Sequence, residues 1–287
     1  MQRGVILIST LIVIVMLSSI AALMTKDFYL VLHSDQQISF NHEAYFVSDF
    51  VESIAMDKLS KAAEQNLFSS NSSDIFNKPF YYEHDDLAID VVIQDASTCF
   101  NVNSIFNLYE SSYVVDSFLV KGLYRFLDRQ NLSEIQKNII VDQLVDWVDS
   151  DQEKNEFGLE DYDYTNSLVI NKKFTASRLF HNSSELYNLP IVNQLGLDLD
   201  VINLCAYNLT HKFAVNLNSL NVTNTHLLRA IFPFITSSEA YDILSSYPHN
   251  GFQSIGELKL LFPNINFSQD ASSLSYSFVP SIFHIKT

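Results

Sequence analysis

The sequence predicts a mixed α+β protein: a long N-terminal helix, then a small antiparallel β-sheet that is interrupted by a large all-helical insertion. Three observations predict this fold class. Residues 5–24 contain no charged side chain, the middle of the chain carries repeated helix-start signals, and strand-like segments lie on both sides of that helical region.

The composition indicates a folded, acidic protein. Of its 287 residues 47% are hydrophobic, and 33 Asp and Glu outnumber 17 Lys and Arg, for a net charge of -16. This charge repels nucleic-acid phosphates, so the composition predicts no nucleic-acid partner. It is compatible with binding of a divalent cation.

The N-terminal apolar stretch predicts a transmembrane helix. At about 1.5 Å per residue, residues 5–24 span the roughly 30 Å hydrocarbon core of a bilayer. Arg3 precedes the stretch and favours a cytoplasmic N-terminus, with the remainder of the chain exported by a single pass. Two alternatives stay open: a cleaved secretory signal, for which Ala21 and Ala22 offer a poor cleavage site, and a plain membrane anchor.

Downstream, the pattern predicts helix as far as about Asn66 and a polar loop from Ser69 to Asn77. Residues 87–93 and 274–285 have strand-like patterns, and helix signals dominate residues 104–261. Three of these signals are potential capping boxes, in which a hydroxyl and a carboxylate or amide three residues later satisfy free backbone amides. They begin at Ser133, Thr236 and Ser254.

One short pattern occurs twice. Residues 100–104 are Phe-Asn-Val-Asn-Ser, and residues 215–219 are Val-Asn-Leu-Asn-Ser. Each is interpreted as a strand end that enters an Asn-rich turn, where asparagine bonds the local backbone.

The two cysteines, Cys99 and Cys205, have neither CxxC spacing nor an obvious histidine partner, which argues against a zinc site. In an exported protein they can form one disulfide. Two separate buried thiols are an equally open interpretation, because the sequence does not give the distance between them.

An acidic run follows the only tryptophan, Trp147, which is predicted to be a core anchor. Aromatic residues flank the run, so it resembles a tethered segment more than a solvated loop, although a solvated loop is the alternative. Closely spaced carboxylates repel one another unless a cation holds them, and hard oxygen ligands suit Ca²⁺. The predicted metal ligands are Asp149, Asp151, Glu153, Glu156, Glu160, Asp161 and Asp163.

No catalytic motif is recognisable. The sequence lacks HExxH, GxSxG and a glycine-rich phosphate loop, and its histidines have no convincing ligand spacing. The sequence therefore predicts no catalytic residues and no enzyme.

The segment from Gln2 to Leu7 resembles the basic leader and glycine that prepilin peptidases cut. In this resemblance Gly4 ends the leader and Val5 begins the mature protein. Ordinary pilins and pseudopilins carry Glu at the fifth mature position, where this chain has Ser9. Absence of that carboxylate is the pattern of the minor pseudopilin K family of type II secretion systems (general secretion pathway protein K).

Further blocks resemble the same family and occur in the family's order along nearly the whole chain. They are the two Asn-containing strands, the block LVDWVDSD at residues 144–151 with GLEDYDY at residues 158–164, and FQSIGEL at residues 252–258. The sequence is similar to the K family over this ordered set.

The resemblance implies a pilin-like, non-enzymatic subunit of the inner membrane with most of its chain in the periplasm. It implies cleavage by prepilin peptidase, methylation of Val5, contact with the inner-membrane secretion platform, and calcium in the acidic region. It also implies that the chain forms the pseudopilus tip with other minor pseudopilins of the I and J types. The alternative is a single-pass, membrane-tethered periplasmic binding protein or enzyme, which would not be processed at Gly4.

The predicted domain organisation has four parts. They are a leader at residues 1–4, a transmembrane and spine helix at residues 5–66, a pilin-like β part at residues 67–103 and 270–287, and an inserted helical domain at residues 104–269.

Overall fold

A computed structural model describes residues 2–65, 76, 78–84, 87–166, 172–209, 212–248 and 250–286. The chain divides into two compact units, residues 1–59 and residues 60–287. The predicted loop at residues 69–77 lies outside the described residues except for Phe76.

The first unit consists of a single long helix. Helix α1 (Gln2–Glu64) contains 63 residues and extends into the first residues of the second unit. It is the one helix of the described residues that is long and apolar enough to cross a membrane. It ends within two residues of the predicted end, Asn66, which is itself outside the described residues.

The second unit contains a three-stranded antiparallel sheet whose strands are, in spatial order, β1 (Phe80–His84), β2 (Leu87–Asp95) and β9 (Phe283–Lys286). Val91 and Ile93 of β2 are fully buried, and Ile93 pairs with Ile285 of β9. The outer strands therefore come from both sides of the helical region, as predicted.

Between β2 and β9 the regular secondary structure of the described chain is mainly helical. Its helices are α2 (Ser117–Leu127), α3 (Glu134–Val148), α4 (Asp161–Thr165), α5 (Pro190–Gln194), α6 (Thr225–Ile231), α7 (Ser237–Ser245) and α8 (Ile255–Leu261). Its strands are β3 (Phe100–Asn101), β4 (Phe106–Tyr109), β5 (Ser112–Val115), β6 (Leu204–Cys205), β7 (Val215–Asn216) and β8 (Tyr276–Ser277). The 3₁₀ helices are Val102–Ile105, Ser183–Asn188, Leu217–Ser219 and Val222–Asn224.

The duplicated Asn motif marks an internal repeat of this region. We call residues 100–186 repeat one and residues 215–258 repeat two. Each begins with a two-residue strand and a 3₁₀ turn, continues through a helix pair (α2 and α3, or α6 and α7), and ends at a buried leucine, Leu186 or Leu258. Helix α2 packs against α6, so the two repeats share one hydrophobic core.

The second asparagine of each motif holds the backbone of a distant, buried phenylalanine. Asn103 accepts the N–H of Phe180 at 3.0 Å and donates to its carbonyl at 2.8 Å. Asn218 makes the same two bonds to Phe252, at 2.8 and 2.9 Å. Because an unpaired amide in a core costs free energy, this pair of hydrogen bonds fixes where each repeat closes.

A carboxylate follows each of these phenylalanines at the same spacing. Glu185 accepts the N–H of His181 at 3.1 Å, and Glu257 accepts the N–H of Gln253 at 2.7 Å. The residues around Phe180 therefore correspond to the FQSIGEL block around Phe252, a correspondence that the short sequence pattern had not revealed.

The first strand of each repeat pairs in parallel with a strand that follows the repeat. Asn101 lies opposite Cys205 in the β3–β6 pair, and Asn216 lies opposite Ser277 in the β7–β8 pair. These parallel pairs were not predicted, because two residues are too few to give a periodic sequence signal.

The capping boxes at Ser133 and Thr236 are present at the N-termini of α3 and α7. At α8, Ser254 accepts the N–H of Glu257 at 3.2 Å, but Glu257 bonds the preceding residue, Gln253, instead of Ser254. The predicted fold class, a mixed α+β chain with a small antiparallel sheet and a helical insertion, is confirmed. The proposed domain limits stay predictions.

Candidate metal centre

The acidic run begins where α3 ends and finishes in the short helix α4. The Trp147 carbonyl accepts the backbone N–H groups of Ala176 and Ser177, both at 3.1 Å. The Trp147 ring meets Tyr164 of α4 edge-on, with centroids 5.6 Å apart. Both ends of the run are thereby attached to the same core residue.

Three of the seven predicted ligands converge. Asp149, Asp151 and Glu160 each offer an oxygen, and these oxygens lie within 4.8 Å of one another. Glu160 is 4% exposed, yet neither of its carboxylate oxygens has a hydrogen-bond partner among the described residues. One oxygen of Asp149 is also buried, with no hydrogen-bond partner in the part of the chain that the structure describes. Such atoms are costly to bury unless a ligand satisfies them.

The electrostatics of these groups agree with their positions. Burial, together with the nearby charges of Asp151 and Asp146, raises the pKa of Asp149 to about 7. Burial and the neighbouring carboxylates, of which Asp146 is the foremost, raise the pKa of Glu160 to about 7. The folded protein therefore disfavours the charged forms of both groups unless a positive charge is close by.

The other four predicted ligands lie elsewhere. Asp161 accepts the N–H and hydroxyl of Thr175, each at 2.8 Å. Asp163 accepts the N–H of Glu160 at 3.2 Å and forms an ion pair with Lys154 at 3.2 Å. Glu153 and Glu156 are exposed. The first two position the loop, whereas Glu153 and Glu156 face solvent.

Sequence reasoning missed Asp146 as part of this region. It is fully buried, and its carboxylate accepts the backbone N–H of Asn155 at 3.2 Å and the side-chain amide of Asn155 at 2.5 Å. Burial raises its pKa, and the Asn155 bonds oppose that effect. A Cβ on Gly158 would lie 1.8 Å from an Asp146 oxygen, so the loop can cross here only as glycine. The four-residue spacing of Asp142 and Asp146 on α3 was the available signal, since Asp142 likewise accepts the N–H of Phe157 at 3.0 Å.

The residues fit a hard cation. The converging groups are all carboxylates, without histidine or cysteine, and oxygen-only sets suit Ca²⁺ at six to eight ligands. Three carboxylates leave positions for backbone carbonyls or water. A bound cation would explain why these buried oxygens have no hydrogen-bond partner among the residues that the structure describes.

The cysteine pairing that the sequence left open is resolved in the structure. Cys99 and Cys205 form a disulfide with Cα atoms 5.8 Å apart, and both residues are buried. The bond joins the start of β3 to β6. Gly4 and Val5 lie within α1, and their predicted processing stays a prediction.

The fold and the acidic centre define a class of protein: a pilin-like chain with an apolar N-terminal helix, a small antiparallel sheet, and a large helical insertion. A model of the family "Type II secretion system (T2SS), protein K" matches residues 98–198, which include the acidic centre.

Two curated relatives are similar over most of the chain. The putative type II secretion system protein K of Escherichia coli (strain K12) is 22% identical over 253 residues, covering 88% of this chain and 76% of the relative. Type II secretion system protein K of Pectobacterium carotovorum subsp. carotovorum is 27% identical over 286 residues, covering 92% of this chain and 81% of the relative.

A solved structure has the same fold. It is a chain of the crystal structure of the GspK-GspI-GspJ complex from the type 2 secretion system of enterotoxigenic Escherichia coli. The TM-score is 0.63 at 19% identity, covering 87% of this chain and 86% of that chain. The predicted resemblance to type II secretion protein K is confirmed, and with it the predicted function as a minor pseudopilin.

Proposed function

We propose that this chain is a structural, non-enzymatic subunit that α1 anchors in the bacterial inner membrane, with most of its residues in the periplasm. The apolar side chains from Leu11 to Met24 are exposed on α1 and need an apolar environment. Arg3 lies on the side that the positive-inside rule assigns to the cytoplasm.

The proposed place of the subunit is the tip of the pseudopilus, together with I-type and J-type minor pseudopilins. The observation that carries this proposal is the exposed apolar surface of α1 beyond the charged pair Lys26 and Asp27. Phe28, Phe40 and Phe46 are 69–72% exposed there, outside the apolar stretch, and require a protein partner. The solved complex of a similar chain with GspI and GspJ supports this choice of partner.

Ser9 favours a terminal position over a repeated one. In the pilin pattern, the carboxylate at this position neutralises the amino terminus of a neighbouring subunit within the membrane layer. A bare charge at that depth costs several kcal/mol, so a subunit with serine lacks a stabilising contact to a further subunit. The bulk of the helical insertion would also hinder close stacking of copies along a thin filament.

The test begins with processing and then locates the subunit. Gly4→Leu should leave an uncut precursor that the prepilin peptidase cannot mature, and secretion through the inner-membrane platform should stop. Immunogold labelling of isolated filaments should place the wild-type subunit at one end. Labels at regular intervals would contradict the tip position, and an intact Met1 on functional protein would favour the membrane-tethered binding protein or enzyme.

We propose further that Asp149, Asp151 and Glu160 hold a structural Ca²⁺. The ion would place a positive charge beside these groups and satisfy the oxygens of Glu160 and Asp149 that have no hydrogen-bond partner within the described ranges. Around them, Asp161, Asp163 and Asp146 hold the loop in place through the bonds described above. The remaining predicted ligands, Glu153 and Glu156, are not part of this proposed set.

Isothermal titration of CaCl₂ into the full chain in detergent micelles tests this site. We expect one saturable event in the wild type and none in the double variant Asp149→Asn with Glu160→Gln. The matched control, Glu153→Gln with Glu156→Gln, removes the same number of charges from the same run and should bind as the wild type does. Equal loss in both variants would show that only the charge density matters and would contradict a defined site.

A further inference from the structure

A continuous series of contacts leads from the disulfide to the acidic centre. The cysteines are separated by 106 positions, so the bond closes a loop that contains all of repeat one, including the three converging carboxylates. Repeat two has alanine at the position equivalent to Cys99, Ala214, and Ser277 opposite its first asparagine, in the place of Cys205.

The first contacts lie beside the disulfide. Asn101 donates its side-chain amide to the Tyr207 carbonyl at 3.0 Å and accepts the Tyr207 N–H at 3.0 Å. The N–H of Ala206 donates to the Ser183 hydroxyl at 3.0 Å. The two residues directly after β6 are therefore attached to β3 and to the 3₁₀ helix Ser183–Asn188 of repeat one.

The next contact passes through the side chain of Asn103. Its backbone N–H donates to the Asn101 side chain at 3.2 Å, and its side chain makes the two hydrogen bonds to the Phe180 backbone. Asn103 is 6% exposed, so water competes little for these bonds.

The last contacts reach the metal centre. The Phe180 ring stacks on Trp147 with centroids 6.2 Å apart and an interplanar angle of 13°. Trp147 meets Tyr164, at the end of the acidic run, edge-on, and Asp149 follows Trp147 by two residues. A displacement of Phe180 would therefore move the residue from which the first carboxylate extends.

We propose that the Cys99–Cys205 disulfide, acting through Asn101, Asn103 and Phe180, sets the affinity of the acidic centre for its cation. This inference rests on the proposed calcium site. A fixed disulfide holds the carboxylates in the converged arrangement before the ion arrives, so less ordering remains to be done on binding. By linkage, a bound cation favours the oxidised form to the same extent.

Formation of this bond requires an oxidant. The two thiols lose two electrons and two protons to the disulfide of a dithiol oxidase, which becomes a dithiol, and the new S–S bond joins Cys99 to Cys205. A cavity of about 350 Å³ is lined by both cysteines together with Asp200 and His284. It provides a route by which a small thiol reagent approaches the otherwise buried sulfurs.

Calcium titration of the full chain in detergent at two redox states tests the coupling. The samples are the oxidised wild type, the wild type reduced with tris(2-carboxyethyl)phosphine, and Cys99→Ser with Cys205→Ser. Fluorescence of Trp147, the only tryptophan, reports the folded state of the core near the site. We expect the reduced protein and the double variant to bind Ca²⁺ at least about tenfold more weakly while Trp147 stays in a folded environment.

The outcomes separate this inference from the proposed site. Equal affinity in the three samples would overturn the coupling and leave the calcium site intact. Absence of binding in the oxidised wild type would overturn the calcium site itself. Loss of the folded Trp147 signal on reduction would replace the coupling with simple unfolding and overturn it as well.

Repeat two supplies a matched control for the route. Asn103→Ala and Asn218→Ala each remove an equivalent pair of hydrogen bonds to the backbone of a buried phenylalanine. Only Asn103 lies between the disulfide and the acidic centre. We expect Asn103→Ala to weaken calcium binding about tenfold and Asn218→Ala to change it less than twofold. Equal effects would overturn the route, and if Asn103→Ala does not fold, the comparison of oxidised and reduced wild type decides.

Discussion

Repeat one and repeat two solve the same folding problem with different amounts of chain. Both close by a buried asparagine that holds a phenylalanine backbone, at Phe180 or Phe252. In repeat one the chain between the second helix and that phenylalanine spans residues 149–179, whereas in repeat two it spans residues 246–251. Closure of the repeat therefore does not require the acidic segment.

The difference shows that the acidic segment is an addition to a fold that is complete without it. Repeat one also carries the disulfide, which repeat two lacks. The acidic segment lies within repeat one, and the two cysteines of the disulfide flank it in sequence. The physical reason is that a segment with three converging carboxylates is unfavourable to order unless cross-links and a cation offset the repulsion.

The largest expected effect tests whether the two closures are equivalent. Phe180→Ala and Phe252→Ala should each lower the free energy of unfolding by about 3–5 kcal/mol, because both rings are fully buried. Urea unfolding of the full chain in detergent, with and without Ca²⁺, measures this. The gain in the free energy of unfolding on addition of Ca²⁺ should become smaller in Phe180→Ala alone. A smaller gain in both variants would show that the repeats are not independent with respect to the metal centre.

Two glycines sharpen the comparison further. Gly158→Ala in repeat one should cost about 1–3 kcal/mol, because its Cβ would overlap the buried Asp146 carboxylate. Gly256→Ala in repeat two meets no atom nearer than 3.6 Å and should be neutral or stabilising by roughly 0.5–1 kcal/mol. The same unfolding measurement checks both. A neutral Gly158→Ala would show that the loop does not pack against Asp146 as described.

Two carboxylates of repeat one should make the stability depend on pH. The pKa values of Asp149 and Glu160 are raised to about 7 in the folded protein, so they hold protons more tightly there than in the unfolded chain. Their favourable contribution is present below the unfolded pKa of about 4 and is lost as pH rises through about 7. With chelator present, the melting temperature should therefore be a few degrees higher at pH 5 than at pH 8, since about 1 kcal/mol corresponds to roughly 2–4 °C.

Added Ca²⁺ should reduce or reverse this trend, because the ion binds the deprotonated groups. Asp149→Asn with Glu160→Gln should flatten the chelator profile, while Glu153→Gln with Glu156→Gln should preserve it. Calorimetry across pH makes the measurement. A chelator profile that is the same in the wild type and in Asp149→Asn with Glu160→Gln would contradict the assignment of these two groups.

The smallest expected effect is the one that the repeats share most closely. Ser133→Ala and Thr236→Ala each remove a capping-box hydroxyl at the second helix of a repeat and should cost about 1 kcal/mol. Urea unfolding should give similar values with and without Ca²⁺. A calcium-dependent cost for Ser133→Ala would mean that α3 and the metal centre are coupled through the start of the helix as well as through its end.

Local features of this molecule were predictable because neighbouring residues decide them. The apolar helix, strand β2 and the capping boxes at α3 and α7 follow from periodicity and from contacts within three or four positions. The Asn motif was recognised as a repeat of five residues, but its extent was not. The bond from Asn103 to Phe180 crosses 77 positions, and no sequence rule specifies such a partner.

The amino-acid sequence alone determined the apolar N-terminal helix, the ordered motifs of the resemblance and the region of the candidate metal centre, since each depends on composition or short spacing. Only the tertiary structure decided that Asp149, Asp151 and Glu160 converge while the other four carboxylates do not. It also joined Cys99 to Cys205 and placed Asp146 beneath Gly158. These outcomes depend on how distant segments pack, and the free energies that bring them together are set by burial and partner geometry across the whole core.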